Sequence, residues 1–533
     1  MKSRSLFVRD ATGFVKGFGA FDVVLIATSM IWALTYMVTQ YPWFYGFNPG
    51  SDLSLALPIA AIPFAFLLLV YWGIGVIMPR SGSDYVWVSR IISPSIGFAW
   101  SLFYMFVVFT ASYISICFPF TYLLSSGFTI WGMLYNSPSL SNIGIFLSSA
   151  SGSFYFSVFL TLVFAVFAIL GSRFIKALLY VSWAVALAGV VVTWWMLASA
   201  TPAIFAAKWN AVMSGYPTYE ALMGAAKGAG WAPTPLTFGA VLASLPLAAL
   251  FMFGGNYGGN VILGEVKGIK KAVPIALFLS LVLGVFFWAI GGYLELNAVG
   301  GNWLRALAYT WEVQPSAYTL PFPPSLPLFL SILAYPNSLL IGIVFFTWIV
   351  GSVQALFVYF WVPSRYFFAW SFDRVLPLKF ASVSDRFHSP NYSIAGIVVL
   401  AVVLLWLTAY AGWSNAFALG TFLWVISYVV PALAAVILPY KKKELLAHAP
   451  GFMSKKVVGV PVLSIIGLIA AVSYGYMGYI AYTNPLITSL TVTGLLIGLG
   501  IIVVGFVVYF ASAAYQKSKG IDLSLTFKEV PPE

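Results

Sequence analysis

The sequence predicts an all-α membrane protein that crosses the bilayer about twelve times. Of its 533 residues, 61% are hydrophobic and 8% are charged, whereas soluble domains are about 45–50% apolar and about 25% charged. The hydrophobic residues form runs of about 20, which is the length of a helix across a bilayer. Because these runs are continuous and do not alternate with polar residues, they favour helices over a transmembrane β-barrel.

We number the predicted spans 1 to 12 in chain order. Span 3 is long enough to be a tilted helix, and the even number of spans places both termini on one face. The predicted spans cover residues 20–40, 54–78, 95–127, 154–171, 177–200, 238–263, 272–296, 337–362, 391–412, 415–439, 458–482 and 488–514.

The basic residues are distributed unevenly between the two faces. Of the 26 Lys and Arg residues, 23 lie on the face of the termini, and the other three are Lys208, Lys227 and Arg305. The positive-inside rule therefore predicts that both termini are cytoplasmic in a multi-pass cell-membrane protein. The net charge of +12 is then a signal of orientation and of contact with anionic lipid, and no nucleic-acid partner is expected.

Several classes of site are excluded by composition. Cys117 is the single cysteine, so the chain cannot form an internal disulfide, and the two histidines, His388 and His448, lie outside the apolar runs. A His-ligated haem or copper centre within the bilayer is therefore excluded, and no phosphate-binding glycine loop is present. We expect no cofactor, no resident metal and no enzyme activity, while protein partners stay open.

Charged side chains are absent from the middle of every predicted span. Asp22 and Glu265 lie near the ends of spans 1 and 6, and we expect both at the interface, paired with nearby Lys or Arg. A deep charge usually marks function, so its absence leaves substrate recognition to backbone groups exposed at a helix break. Residues 251–260 of span 6 contain four glycines and two asparagines. This composition predicts an unwound segment, although close helix packing would also use small residues.

Three connections carry motifs of one transporter family. Residues 79–90 read Pro-Arg-Ser-Gly-Ser-Asp-Tyr-Val-Trp-Val-Ser-Arg, and residues 265–274 read Glu-Val-Lys-Gly-Ile-Lys-Lys-Ala-Val-Pro. After span 8 come Ser364, Arg365, Ala369, Asp373, Leu376, Pro377, Phe380, Arg386, Ser389 and Pro390. In this order, the motifs resemble those of the amino acid–polyamine–organocation (APC) superfamily over roughly residues 15–440.

The resemblance implies a leucine-transporter-type fold, with two inverted repeats of five spans, breaks in spans 1 and 6, and two added C-terminal spans. The short tail of mixed charge from Lys517 is expected to be disordered. The implied divisions are a cytoplasmic N-terminus (1–19), the first repeat (20–205), an outer loop (206–237), the second repeat (238–440), a cytoplasmic loop (441–457), spans 11 and 12 (458–514) and a cytoplasmic tail (515–533).

The resemblance also implies a substrate site between spans 1 and 6, where backbone N–H groups of span 1 meet a carboxylate and carbonyls of both spans meet an amine. Tyr113 in span 3 and Trp424 in span 10 are further pocket candidates, with core filling as the alternative. Ser352 and Gln354 in span 8 are candidate sodium ligands, with helix packing as the alternative. The site residues carried over are Ala27, Thr28, Ser29, Met30, Phe253, Gly254, Gly255, Asn256 and Tyr257.

The predicted function is secondary active transport of amino acids, neutral or apolar ones, by alternating access with sodium or proton coupling. Span 1 lacks the glycines usual in the family, which supports the alternative of another solute, such as an organic cation, nucleobase or amide. No lysine follows Lys176 in span 5, so we do not expect the proton route that a lysine there provides in related transporters. A channel or a non-transporting assembly partner is the other alternative. The long outer connections, 201–237 and 297–336, either pack at the interface or form a lid.

Overall fold

The computed structural model describes residues 13–30, 40–253, 258–413, 420–484 and 492–528. Ten helices in this part are long and apolar enough to cross a membrane, and they correspond to predicted spans 2–5 and 7–12. The prediction of an all-α polytopic membrane protein is confirmed. The ten helices are Leu53–Ile77, Pro94–Leu134, Ala150–Ile169, Ser172–Ala198, Ile269–Val299, Ser338–Phe372, Asn391–Tyr410, Thr421–Lys441, Val462–Thr483 and Val492–Ser518.

Spans 1 and 6 are each described as shorter helices. Within predicted span 1 the structure describes Ala20–Met30; the helix Gln40–Phe47 begins at the last residue of that prediction, and we refer to it as the second helix, or outer half, of span 1. Span 6 comprises Leu245–Phe253 and Gly258–Val261, preceded by Phe238–Ala243. Residues 31–39 and 254–257, between these helices, lie outside the described residues. Ten of the twelve predicted spans thus correspond to continuous helices, and the crossing of the membrane by spans 1 and 6 stays a prediction.

Spans 3 and 8 are longer than the sequence predicted. Span 3 contains a π-helical turn at Met105–Thr110, where the Thr110 hydroxyl donates to the Met105 carbonyl five residues earlier, at 3.3 Å. The helix of span 8 is interrupted at Val362 and Pro363 and continues as Ser364–Phe372. Proline lacks the backbone donor that a continuous helix needs, which accounts for the interruption.

We call the membrane face on which Phe14 contacts Phe368 and Phe527 contacts Arg90 the terminal face, and the other the opposite face. The terminal face carries Ser83–Ile91, the 3₁₀ turns Leu263–Glu265 and Leu378–Ala381, Lys443–Leu446 and an antiparallel pair of two-residue strands, Lys456–Val457 and Val460–Pro461. The opposite face carries Pro138–Ser148, Pro202–Val212, Tyr219–Gly228, Gly301–Glu312, the 3₁₀ turn Pro315–Ala317 and Leu326–Ala334.

The outer helix Gly301–Glu312 packs against Gln40–Phe47, the second helix of span 1. A Cβ atom built at Gly46 would lie 3.0 Å from the Ala308 carbonyl oxygen and 3.0 Å from the Glu312 Cβ atom. Glycine therefore allows the two helices to approach more closely than a side chain would. The long connection 297–336 thus covers the outer half of span 1.

The C-terminal tail is ordered where the structure describes it, so the expectation of disorder is wrong up to residue 528. The Asp522 carboxylate accepts from the Ser524 N–H at 2.9 Å and caps the short helix Leu523–Thr526. Leu523 and Phe527 are buried, and the Phe527 ring lies 4.8 Å from the Arg90 guanidinium carbon. Mixed charge in the tail's sequence does not reveal this contact, because it is made with a residue far away in the chain.

Candidate functional site

The predicted site residues of span 1 lie in the last described turn of the helix Ala20–Met30. Ala27, Thr28, Ser29 and Met30 are all buried, with at most 1% of each exposed. Both hydroxyls bond to the backbone carbonyl four residues earlier, Thr28 to Val24 and Ser29 to Leu25, each at 2.7 Å. Such bonds satisfy a polar side chain at bilayer depth without a partner from another helix.

Two aromatic side chains from other spans hold this turn. The Tyr359 hydroxyl of span 8 donates to the Met30 carbonyl at 2.8 Å, and the Trp183 indole N–H of span 5 donates to the Ser29 hydroxyl at 2.9 Å. Sequence reasoning missed both residues. Each is an aromatic ring with one polar atom inside an apolar run, which is the signal that could have identified them.

Spans 1 and 6 contact each other at Gly258 and Gly259. A Cβ atom at Gly258 would lie 1.9 Å from the Met30 sulfur, and one at Gly259 would lie 2.6 Å from a Val23 methyl group. Both positions are thus filled by span 1 side chains. The glycine-rich stretch of span 6 therefore serves close packing at its second half.

The remaining span 6 predictions are only partly covered by the described residues. Phe253 is the last described residue of the helix Leu245–Phe253. The buried Asn260, just beyond the predicted break, has a side-chain nitrogen without a hydrogen-bond partner among the described residues. Four predicted site residues lie outside the described residues, namely Gly254, Gly255, Asn256 and Tyr257. The carboxylate and amine contacts expected of spans 1 and 6 stay predictions.

Tyr113 and Trp424 are both buried between helices. The Tyr113 hydroxyl shares a hydrogen bond of 2.8 Å with Thr161 of span 4, and its ring lies 5.6 Å from the Phe360 ring. Trp424 packs edge to face on Tyr428 at 4.9 Å. These contacts define their place in the bundle, and their role in a pocket stays a prediction.

The candidate sodium ligands of span 8 are also buried. The Ser352 hydroxyl donates to the Trp348 carbonyl at 2.9 Å. The Gln354 side-chain oxygen accepts from Ser182 of span 5 at 3.5 Å. Among their described contacts, these two groups therefore face their own helix and span 5, and a sodium site with span 1 stays a prediction.

The three motifs of the sequence meet on the terminal face. Glu265, after span 6, forms a two-bond ion pair with Arg365, after span 8, through Nε and Nη2 at 2.9 Å each. The predicted pairing of Glu265 with a basic residue is confirmed. The Arg365 guanidinium also lies 4.2 Å from the centre of the Trp361 ring, and the Glu265 carbonyl accepts from the Phe18 N–H at 3.0 Å. This pair thus joins spans 6 and 8 to the segment before span 1.

A second ion pair on the same face joins the first and third motifs. Arg90 donates to both carboxylate oxygens of Asp373 at 2.6 Å, and both side chains are almost fully buried. Paired arginine and carboxylate groups of this geometry are directional as well as strong. Together with the bond from the Gly82 N–H to the Val261 carbonyl at 2.8 Å, these contacts connect the segments that follow spans 2, 6 and 8 on the terminal face.

Two further carboxylates on the terminal face have their own partners. Asp84, in the helix Ser83–Ile91, accepts from the Tyr366 hydroxyl at 2.7 Å and from the Tyr85 N–H at 2.9 Å. Burial raises the pKa of the Asp84 carboxyl to about 7, and these hydrogen bonds oppose the rise. Asp22 accepts from the Gly19 N–H at 2.7 Å and from the Tyr180 hydroxyl.

The chain has been compared with known proteins. A family model described as amino acid permease matches residues 18–506, which is most of the chain. A search of the curated proteins finds no match.

Proposed function

This chain belongs to the amino acid permease family of the APC superfamily, and we propose that it carries neutral or apolar amino acids across the cell membrane by alternating access. The family is one of transporters of amino acids or similar small solutes, and the chain is a multi-pass membrane protein. The narrower substrate class, the mechanism and the cytoplasmic placement of both termini are the proposal. The placement rests on the excess of basic residues at the terminal face.

One observation supports the proposed site best. Met30 of span 1 lies where spans 6 and 8 converge, with its sulfur against Gly258 and its carbonyl accepting from the Tyr359 hydroxyl. The described contacts of residues 27–30 quoted above are made by uncharged groups. An uncharged, largely apolar lining favours a substrate whose side chain is also uncharged, because a charged side chain would be left without a partner.

The terminal-face contacts support alternating access. In such a cycle, access to the central site changes from one face to the other while the site itself stays near the midplane. Arg90 lies after span 2 in the first predicted repeat and pairs with Asp373, which lies after span 8 in the second. Glu265, after span 6 in the second repeat, pairs with Arg365, after span 8. We assign the structure to the state in which the terminal face is closed.

The experiment is uptake by purified protein in liposomes. The panel contains labelled neutral, apolar, acidic and basic amino acids together with an organic cation, a nucleobase and an amide, each with sodium or proton gradients imposed separately. Tyr359→Phe removes the hydroxyl bonded to Met30. Since a hydrogen bond contributes about 0.5–1.5 kcal/mol, we expect the KM of the preferred amino acid to rise by about two- to tenfold.

Tyr474→Phe is the matched control, because it also removes a buried tyrosine hydroxyl, one without a hydrogen-bond partner among the described residues. It should leave KM unchanged. Uptake of the nucleobase, amide or organic cation in place of amino acids would replace the substrate assignment and retain the transporter. A wild-type protein that stays folded and moves no member of the panel would contradict the proposal.

A further inference from the structure

Glu295 differs from the other buried carboxylates of the described chain. It lies one turn before the end of span 7, Ile269–Val299, and is fully buried. Neither of its carboxylate oxygens has a hydrogen-bond partner among the described residues. By contrast, the other buried acidic residues accept hydrogen bonds, namely Asp22, Asp84, Glu265 and Asp373.

The groups around this end of span 7 do not supply a counter-charge. Glu295 interacts electrostatically with the buried Tyr45 hydroxyl of the helix Gln40–Phe47. Arg305 of the outer helix lies 5.0 Å from the Tyr45 ring centre, but its guanidinium is directed to the Ser51 carbonyl at 3.3 Å and to Asp52 at 3.8 Å.

Other titratable groups on the elements near this end have contacts elsewhere or lie on the outer helices. Lys208 donates to the Leu333 and Tyr335 carbonyls, and the Tyr219 hydroxyl donates to the Val299 carbonyl at 2.9 Å. The groups on these neighbouring elements and on span 7 itself are Asp52, Lys208, Tyr219, Glu220, Lys227, Tyr293, Arg305, Tyr309 and Glu312.

A carboxylate buried without a donor or a cation is strongly disfavoured, so this position fits the group only when its charge is neutralised. A metal cation bound by oxygen requires several ligands, whereas among the described residues Glu295 interacts with the Tyr45 hydroxyl electrostatically and without a hydrogen bond. A proton needs only the carboxylate itself. The geometry therefore favours a proton over a metal ion as the occupant.

We propose that Glu295 is a proton-binding site that must be occupied for the outer helix Gly301–Glu312, with the outer half of span 1 packed on it, to close over this end of span 7. This inference rests on the proposed transport function. When Gln40–Phe47 and the outer helix Gly301–Glu312 move away, water from the opposite face reaches Glu295. The carboxylate then takes a proton from a hydronium ion, one O–H bond forms, and a water molecule is left. The neutral group is buried again when the helices close.

Acid on the opposite face should consequently promote closure there. With the pH at the terminal face held constant, wild-type uptake should fall as the pH at the opposite face rises, by up to about tenfold per pH unit, the steepest slope that one proton site allows. Glu295→Gln is permanently neutral and close in shape, so its uptake should no longer depend on that pH. Glu220→Gln is the matched control, because Glu220 is an exposed carboxylate on the same face, and it should keep the wild-type profile.

A second measurement needs no substrate. Ala308 is buried, and its carbonyl lies against Gly46, so a cysteine at position 308 in a Cys117→Ala background reports separation of the two helices. A membrane-impermeant maleimide labels Ala308→Cys in two proteins, one with Glu295 and one with Glu295→Gln. The ratio of the first labelling rate to the second should rise as pH at the opposite face rises. Because both proteins carry the same cysteine, the pH dependence of its thiol cancels in this ratio.

The outcomes separate this inference from the proposed function. A ratio that rises with pH supports the proton site, even if the solute panel misses the true substrate. A ratio that stays constant, with both proteins folded, overturns it while leaving amino acid uptake intact. Uptake by Glu295→Gln that still follows the wild-type pH profile also overturns it.

Discussion

The ion pair between Glu265 and Arg365 leads to the most direct prediction about how the terminal face opens. Its two bonds of 2.9 Å are buried, with side-chain exposures of 5% and 2%. Removing one partner of such a pair leaves the other charge buried and unpaired, which costs about 3–5 kcal/mol. Arg365→Gln or Glu265→Gln should therefore destabilise the closed terminal face by about this amount.

A change of about 3 kcal/mol corresponds to about a hundredfold change in an equilibrium, because every 1.4 kcal/mol is a factor of ten. Ile262 is fully buried beside the backbone bridge to Ser81, so a cysteine there reports opening of this face. In a Cys117→Ala background, alkylation of Ile262→Cys by a permeant maleimide should become about a hundredfold faster with either single substitution. The variant with both substitutions should accelerate alkylation by less than the product of the two single accelerations, since neither charge is left buried without its partner.

Arg305→Gln is the matched control for loss of an arginine. Its pair with Asp52 spans 3.8 Å, is partly exposed and lies on the opposite face, and exposed pairs contribute about 0–1 kcal/mol. It should not accelerate labelling at position 262. Equal labelling rates in wild type, Arg365→Gln and Glu265→Gln would refute the reasoning that this pair holds the face closed.

Three other predictions follow from the terminal face and its packing. Burial raises the pKa of Asp84 from its ordinary 3.8 to about 7. The stability that the neutral carboxyl contributes is therefore full below about pH 4 and is lost as pH rises through about 7, which changes the free energy of unfolding by about 4 kcal/mol. The melting temperature should fall over that range, and Asp84→Asn should flatten the fall; an unchanged profile would contradict the assignment. Phe527→Ala removes the ring over Arg90 and should cost about 2–4 kcal/mol in denaturant unfolding; a variant as stable as wild type would contradict the docking of the tail. Gly505→Ala places a Cβ atom 2.6 Å from the Cα atom of Ala99 and should lower the melting temperature by forcing spans 3 and 12 apart, at a cost of about 1–3 kcal/mol; a variant that melts with wild type would show that the helices can separate freely.

Ten of the predicted spans appear as continuous apolar helices, and they could be predicted because hydropathy and length are local properties. The breaks that the family resemblance implied in spans 1 and 6 stay predictions, because residues 31–39 and 254–257 lie outside the described residues. It was also predictable that Glu265 pairs with a basic residue, since a carboxylate near the bilayer needs a cation. Its partner was not, because Arg365 lies 100 residues further along the chain and no local pattern links the two.

The candidate site was predicted only in part, for a similar reason. Residues 27–30 could be identified by resemblance, but Tyr359 and Trp183 reach them from other spans, and helical periodicity does not show which spans are neighbours. Glu295 was overlooked because it falls at the predicted end of span 7, where a charge is ordinarily solvated. Its burial depends on the outer helix Gly301–Glu312 and on the second half of span 1, which the sequence pattern alone does not place there.

The π-helical turn of span 3 has a consequence for comparing this chain with its relatives. A turn closed by bonds to the fifth residue holds one residue more than an α-helical turn, and each residue of an α-helix rotates the chain by about 100°. Met105–Thr110 can therefore be viewed as a one-residue insertion stored in the helix, which changes the direction of Tyr113 relative to Tyr104 by about a quarter turn. An alignment to a relative with a regular helix here needs a single-residue gap within 105–110. Without that gap, every span 3 position after it would be matched to the wrong side of the bundle.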